Sequence, residues 1–334
     1  MYDADLLIAG GGPAGLATAL HALQSGLSVI VAEPRPMPID KACGEGLMPG
    51  GLAALASLGV DPEGMPFQGI AYISGSHRAE ARFRHGPGRG VRRTTLHAAL
   101  HSRAGFLGTK WTHAKIGDVT QDAHGVTAGG LRARWLVAAD GLHSPVRRQL
   151  GIGSKPGSPR RFGLRWHFPV EPWSDFVEVW WSEFGEAYVT PVAPDLVGVA
   201  ILSAQKPDLA WFPALQSRLR GSGPPLGAGP LRQVVARRVQ GRVLLVGDSA
   251  GYEDALTGEG ISLAVKQGSA AVAAILAGEP ESYERSWKRI TRDYRLLTRA
   301  LVLATRHRPI RRAIVPLSSR APALFRGIVN VLAR

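Results

Sequence analysis

Apolar runs and helical periodicities open this chain in the order strand, helix, strand. Asp5 to Ala9 is a short apolar run and predicts a buried strand. From Pro13 to Ser25, Leu16, Leu20 and Leu23 recur at helical spacing, and Leu27 to Ala32 is a second apolar run. This beginning predicts a parallel sheet. Residues 34–50 are rich in Pro and Gly and predict a functional loop, followed by a short helix from Leu52 to Leu58. Two strand-like runs lie between Phe67 and Phe83, and Thr94 to Arg103 returns to helix. Residues 109–139 alternate and turn often, a small meander ending in the apolar strand Trp135 to Ala139.

The middle of the chain changes character. Between residues 162 and 202, Trp166, Phe168, Val177, Val179, Trp181, Tyr188 and Val199 sit in short strand-like stretches, which predicts an antiparallel sheet inserted between parts of the α/β fold. Gly221 to Gly229 is a Gly/Pro-rich turn, Arg242 to Val246 a core strand, and Gly258 to Leu276 a long helix. Further on, Trp287, Ile290, Tyr294, Leu297 and Leu301 recur at helical spacing, and Phe325, Val329 and Leu332 form a smaller apolar group, so a pair of C-terminal helices is expected.

Composition adds two constraints. The single cysteine, Cys43, excludes an internal disulfide and fits a reducing cytosol. The formal net charge is +14, and residues 285–334 hold 13 Lys and Arg against one acid, Asp293, leaving only +2 elsewhere. Such a tail is either a set of solvated helix faces or a contact with anionic membrane. Nucleic acid is not expected, because no recognised binding motif accompanies the charge. The first ten residues read as a strand and turn rather than a secretory signal, and no window reaches the ~18 apolar residues of a membrane span. A cytoplasmic protein, with or without membrane association, is the expectation; its oligomeric state is open and no metal site is expected.

The most specific motif is Gly10-Gly11-Gly12-Pro13-Ala14-Gly15, between strand and helix, with Glu33 ending the next strand. Gly10 permits the tight turn, Gly12 lets backbone approach a pyrophosphate, and Gly15 lets helix and strand pack closely. The helix start at Pro13 and Ala14 offers free N–H groups to phosphate, and Glu33 suits an adenosine ribose. Two further corners follow strands: Asp140-Gly141-Leu142-His143-Ser144-Pro145, and Gly247-Asp248-Ser249-Ala250-Gly251 with Leu256-Thr257-Gly258-Glu259-Gly260-Ile261 after it.

Over about residues 4–276 these three motifs, in this order, resemble the flavoprotein superfamily of p-hydroxybenzoate hydroxylase and geranylgeranyl reductase. The resemblance implies an α/β, Rossmann-like FAD-binding fold with an inserted antiparallel-sheet substrate domain and a helical C-terminus. It divides the chain into an FAD-binding part at 1–161, a substrate sheet at 162–230, the rest of the FAD-binding part at 231–280, and basic helices at 281–334. It implies that Asp248 holds the ribityl chain, that the Gly258-Glu259-Gly260-Ile261 turn faces the flavin pyrimidine, and that Arg93 contacts FAD. Asp140 would link fold and cofactor, or simply cap a helix. Arg35 and Lys41 join the expected cofactor contacts, Lys41 as a counter-charge to the pyrophosphate. With no second GxGxxG, NAD(P)H would bind only transiently as electron donor.

Lys41-Ala42-Cys43-Gly44-Glu45-Gly46 resembles the Lys-x-Cys-Gly-Gly segment of the geranylgeranyl reductase branch, with Glu45 where that branch has Gly and Ala255 where it has Pro. Cys43, Glu45 and Asp254 are the catalytic candidates: Cys43 beside flavin or substrate, or a small buried hydrophobe; Glu45 and Asp254 as acid/base groups, or loop caps. His143 is read as structural. Val179-Trp180-Trp181 does not match the halogenase Trp-x-Trp-x-Ile-Pro. The favoured expectation is a monooxygenase hydroxylating a hydrophobic phenolic or polyketide-like small molecule with NAD(P)H and O2. The alternatives are a reductase saturating an isoprenoid or lipid alkene, and a non-catalytic flavin-binding protein.

Overall fold

The computed structural model describes residues 1–156 and 160–334. Its central sheet has eight strands. Five run parallel in the spatial order Lys110–Thr112, Val29–Ala32, Ala4–Ala9, Leu131–Ala138, Val243–Leu245, with Val239–Gln240 antiparallel at one edge. Ala4–Ala9 lies in the middle and is buried on both faces, which is why its sequence is continuously apolar rather than alternating. The expected meander is partly so. Residues 126–128 fold back antiparallel on Leu131–Ala138 and residues 120–121 on 126–128, but Lys110–Thr112 joins the parallel edge.

Helices cover this sheet. The fingerprint helix Pro13–Gln24 packs on the long helix Gly260–Leu276 and on Arg93–Phe106. At Gly268 a Cβ would meet Thr18 backbone at 3.1 Å, so the two helices approach as closely as glycine permits.

A second, seven-stranded sheet stands over the carboxyl ends of the parallel strands. Its order is Leu226–Ala228, Phe162–Phe168, Leu196–Ser203, Gly185–Ala193, Val177–Trp181, Gly69–Ser74, His77–Arg82. All neighbours are antiparallel except Val177–Trp181 with Gly69–Ser74, which run parallel. The two strands from residues 69–82 therefore extend the sheet expected from 162–202.

The C-terminus forms three helices rather than a pair: Ser282–Ala304, Arg308–Arg320 and Pro322–Leu332. The second and third pack on the hairpin Gly69–Arg82, where Asn330 donates to the Arg82 carbonyl and accepts from Arg84 N–H.

Candidate functional site

One continuous cavity of about 750 Å³ runs from the fingerprint turn, beneath the seven-stranded sheet, to the C-terminal helices. Its first half has the form of a dinucleotide cradle. Gly10 has φ +104°, and a Cβ there would meet the Ala139 carbonyl at 2.6 Å. A Cβ on Gly15 would sit 1.9 Å from the Gly10 carbonyl oxygen. Gly12 differs: its nearest neighbour would be the Arg93 guanidinium at 3.8 Å, so its bare side faces the cavity. Pro13 and Ala14 line the same wall at the helix start.

Glu33 is buried at the end of its strand and accepts from Gly11 N–H at 2.9 Å and from Arg35 Nε at 2.8 Å. Burial opposes its ionisation, but the hydrogen bonds from Arg35 and Gly11 outweigh it and hold the carboxyl below the usual range. Arg93, at the start of its helix, is buried, and its Nε has no hydrogen-bond partner among the described residues. Burial pushes its pKa below the usual arginine value, against the pull of Cys43 and Asp248. A buried guanidinium beside a bare glycine and a helix N-terminus is the donor set a diphosphate requires. Lys41 Nζ stands 3.8 Å from Asp248 Oδ2 in the same wall. These orphaned donors fit FAD.

The two other motifs close the cradle. Asp140 accepts from Val146 N–H at 3.0 Å, as a cap would, while its Oδ1 stays buried without a partner. Arg147 ties the corners together, donating to the carbonyls of Leu142 and Ser249. Gly247, with φ +63°, and Asp248 line the cavity, as do Gly258, Gly260 and Ile261 at the start of the long helix. Glu259 turns aside. It is half-buried, its Oε2 is fully buried without a partner, and burial raises its carboxyl to about 7 against a hydrogen bond from Thr257. His143 bonds the Gly229 carbonyl at 3.2 Å on the surface.

The loop between cradle and sheet brings two of the three catalytic candidates together. Cys43 lines the cavity, and its Sγ accepts from Glu45 N–H at 3.4 Å. Burial pushes its thiol up, against the Arg93 charge and aided by Glu45, so it carries its proton at neutral pH. Glu45 is buried with φ +60°, the left-handed region that glycine favours. Its Oε1 accepts from Arg93 N–H at 2.8 Å, and its Oε2 lies 2.7 Å from His167 Nε2. Arg165 donates to His167 Nδ1 at 2.8 Å, and arginine can only donate. His167 therefore carries its hydrogen on Nε2 and gives it to Glu45. Arg165 is itself anchored to Asp40.

Asp254 lies elsewhere. It is buried outside the cavity lining, 3.5 Å from Arg161, which also pairs with buried Glu186. Burial raises its carboxyl to about 6, against the pull of Arg161. Arg165 and His167 had a signal in the sequence: they alternate along one strand and so share a face, a polar pair beside apolar strand-mates.

The second half of the cavity is mainly aliphatic, with Tyr72 and Tyr188 also in its lining. Ile70, Val177, Val179 and Leu202 form its roof, Leu256 and Met48 its flank, and Leu297, Leu301, Ile328 and Leu332 its far wall.

Known proteins share this organisation. A menaquinone reductase of Mycolicibacterium smegmatis is 26% identical over 87% of this chain and 81% of its own length. The chloroplastic geranylgeranyl diphosphate reductase of Oryza sativa is 30% identical over 81% of this chain and 66% of that protein. A 3-(3-hydroxy-phenyl)propionate/3-hydroxycinnamic acid hydroxylase of a Mycobacterium species is 29% identical over 45% of this chain and 30% of that protein. Among solved structures, a flavin-dependent brominase superposes with TM-score 0.84 at 18% identity, covering 99% of this chain and 93% of its own. An anhydrotetracycline hydroxylase from Streptomyces rimosus does so with TM-score 0.74 at 23% identity, covering 99% and 76%. At these identities the structures speak for the fold alone. The FAD binding domain family matches residues 3–209, and the chain belongs to that family, an FAD-dependent oxidoreductase built on the cradle described above.

Proposed function

We propose that this flavoenzyme reduces a carbon–carbon double bond in a long apolar, isoprenoid-type chain. The observation that carries the reading is the aliphatic lining of the far half of the cavity, from Ile70 and Val179 to Leu297, Leu301 and Leu332. Tyr72 and Tyr188 also line that stretch, but Tyr188 gives its hydroxyl to the Leu256 carbonyl, and the aliphatic majority suits a hydrocarbon better than a phenol. The two reductases align over most of this chain and the hydroxylase over less than half, which supports the same choice. Hydroxylation, favoured by the sequence, becomes the second reading.

Saturating an alkene takes two electrons and two hydrogens. Bound FAD, reduced by NAD(P)H, supplies the electrons and one hydrogen. The other comes as a proton from this chain, and we assign it to Cys43, which lines the cavity in the loop between cradle and sheet with its thiol protonated. Glu45, fixed by Arg93 N–H and His167, is a positioning residue: its carboxylate adds to the burial that raises the thiol, and its backbone N–H holds Sγ in place. Arg93, Lys41 and Asp248 orient the cofactor. The basic C-terminal helices mark the side from which a lipid substrate arrives.

The test is turnover under nitrogen with NADPH and a polyprenyl-chain quinone, read by mass spectrometry. A gain of two hydrogens that persists after the quinone ring is reoxidised supports the reading, because reduction of the ring alone also adds two. Product formed only in air, with a gain of one oxygen atom, overturns it in favour of hydroxylation. Failure of NADPH or dithionite to bleach the bound flavin overturns both.

A further inference from the structure

The outer face of the C-terminal helices has a pattern the cavity does not use. Leu296, Leu303, Ile310, Leu317, Leu324 and Val331 follow one another at seven-residue spacing, and each is 41–66% exposed. Seven residues are just under two helical turns, so each of the three helices shows two of these side chains on one face. Elsewhere on the molecule large exposed apolar residues are scattered.

The cations beside them fall into two kinds. Arg311 and Arg312 are anchored to Glu183 of the sheet. Arg306, Arg308, Arg320 and Arg326 are exposed and have no ion-pair partner among the described residues. From these two features we infer that this face rests on an anionic lipid bilayer, with the leucine rows in the acyl boundary and the four arginines at the headgroups. A second copy of the chain would bring the same positive charge against its own. Nucleic acid would pair the arginines and leave the leucines wet. The next face of the first and third of these helices carries Leu297, Leu301, Val329 and Leu332 into the cavity, so these two helices would stand between bilayer and substrate chamber. The inference deepens the reading of a lipid substrate but stands on surface residues alone, so its failure leaves the reductase reading intact.

The experiment is co-sedimentation of the FAD-loaded chain with phosphatidylcholine vesicles, with and without phosphatidylglycerol. Binding is expected only where phosphatidylglycerol is present and should weaken with salt. Replacing Leu296, Leu303, Leu317 and Leu324 together by Gln should weaken it about tenfold or more, with the flavin spectrum unchanged. Replacing Arg306, Arg308, Arg320 and Arg326 by Gln should remove the preference for anionic lipid. Three results overturn the inference: wild-type chain in the supernatant with both vesicles; undiminished binding by either variant; or a concentration-dependent dimer that the leucine replacements abolish, which assigns the face to a second copy.

Discussion

Gly12 and Gly15 belong to one motif, yet the structure assigns them opposite sensitivities. A Cβ at Gly15 would lie 1.9 Å from the Gly10 carbonyl oxygen and 3.3 Å from Ala139 Cβ. Both are tied down, because Gly10 N–H donates to the Ala32 carbonyl at 2.8 Å and Ala139 N–H to the Ala9 carbonyl at 2.8 Å. To reach an ordinary contact the helix must move away from the sheet by more than an ångström, and overpacking of that kind costs about 1–3 kcal/mol or more. A Cβ at Gly12 meets nothing nearer than Arg93 at 3.8 Å, and the residue's φ of −72° suits alanine. Gly12→Ala should therefore leave the FAD-free chain within about 0.5 kcal/mol of wild type. It places a methyl where the diphosphate must approach backbone, and FAD affinity should fall about a hundredfold, or roughly 2.7 kcal/mol. Gly15→Ala should lower stability with and without FAD. The assay is urea unfolding of both forms together with FAD titration by flavin fluorescence. Normal FAD affinity in Gly12→Ala, or an unfolded apo chain, would refute the placement of the diphosphate at this glycine.

Other consequences follow from single side chains. Arg93→Met removes a buried cation with an unpartnered Nε, so the FAD-free chain should not lose stability while FAD affinity drops by about 2 kcal/mol or more, read by equilibrium dialysis. Asp254 keeps its proton in the fold up to about pH 6, whereas the unfolded chain releases it near the ordinary value of 3.8. Its contribution is therefore present at low pH and is lost as pH rises through 6, a fall of about 3 kcal/mol across the window. Urea unfolding at several pH values should show that fall in wild type and a flatter profile in Asp254→Asn. Cys43→Ala should slow reoxidation of reduced flavin by the alkene about a hundredfold, with normal reoxidation by ferricyanide. Glu45→Gln should shift the alkaline limb of the rate to lower pH, because the carboxylate is one of the charges that raises the thiol; an unmoved limb would contradict its positioning role.

The cofactor half of the site was legible because its requirements are local. Gly10, Gly12, Gly15 and Glu33 lie within one strand–helix–strand unit, although only Gly15 meets its closest neighbour, the Gly10 carbonyl, inside it. Glu45 was legible as a departure, and its φ of +60° gives the departure a physical sense. What escaped was set by pairing across the chain. His167 meets Glu45 across 122 residues, and nothing near either announces the other. Asp254 sits in a loop that the fold sends toward the flavin, but burial against Arg161 and Glu186 turns its carboxylate away from the cavity. The C-terminal periodicity predicted helices correctly. It did not reveal that one apolar row serves the cavity while another stays exposed, since both have the same helical spacing.

The parallel pairing of Gly69–Ser74 with Val177–Trp181 has a consequence for how the molecule is made. Ile70 and Val177, direct partners, are separated by 107 positions. At typical synthesis speeds of about 5–20 residues per second, the hairpin Gly69–Arg82 waits roughly 5–20 seconds on the ribosome before its neighbour strand is translated. The helices that cover its other flank, Arg308–Arg320 and Pro322–Leu332, arrive later still. The cofactor cradle needs residues from 4 to 261 and the chamber residues up to 332, so the nascent chain completes the place for FAD before the place for the substrate. A chain released before its last fifty residues would hold the cofactor beside an open, greasy cleft, the form in which this protein is most exposed to aggregation and to chaperones.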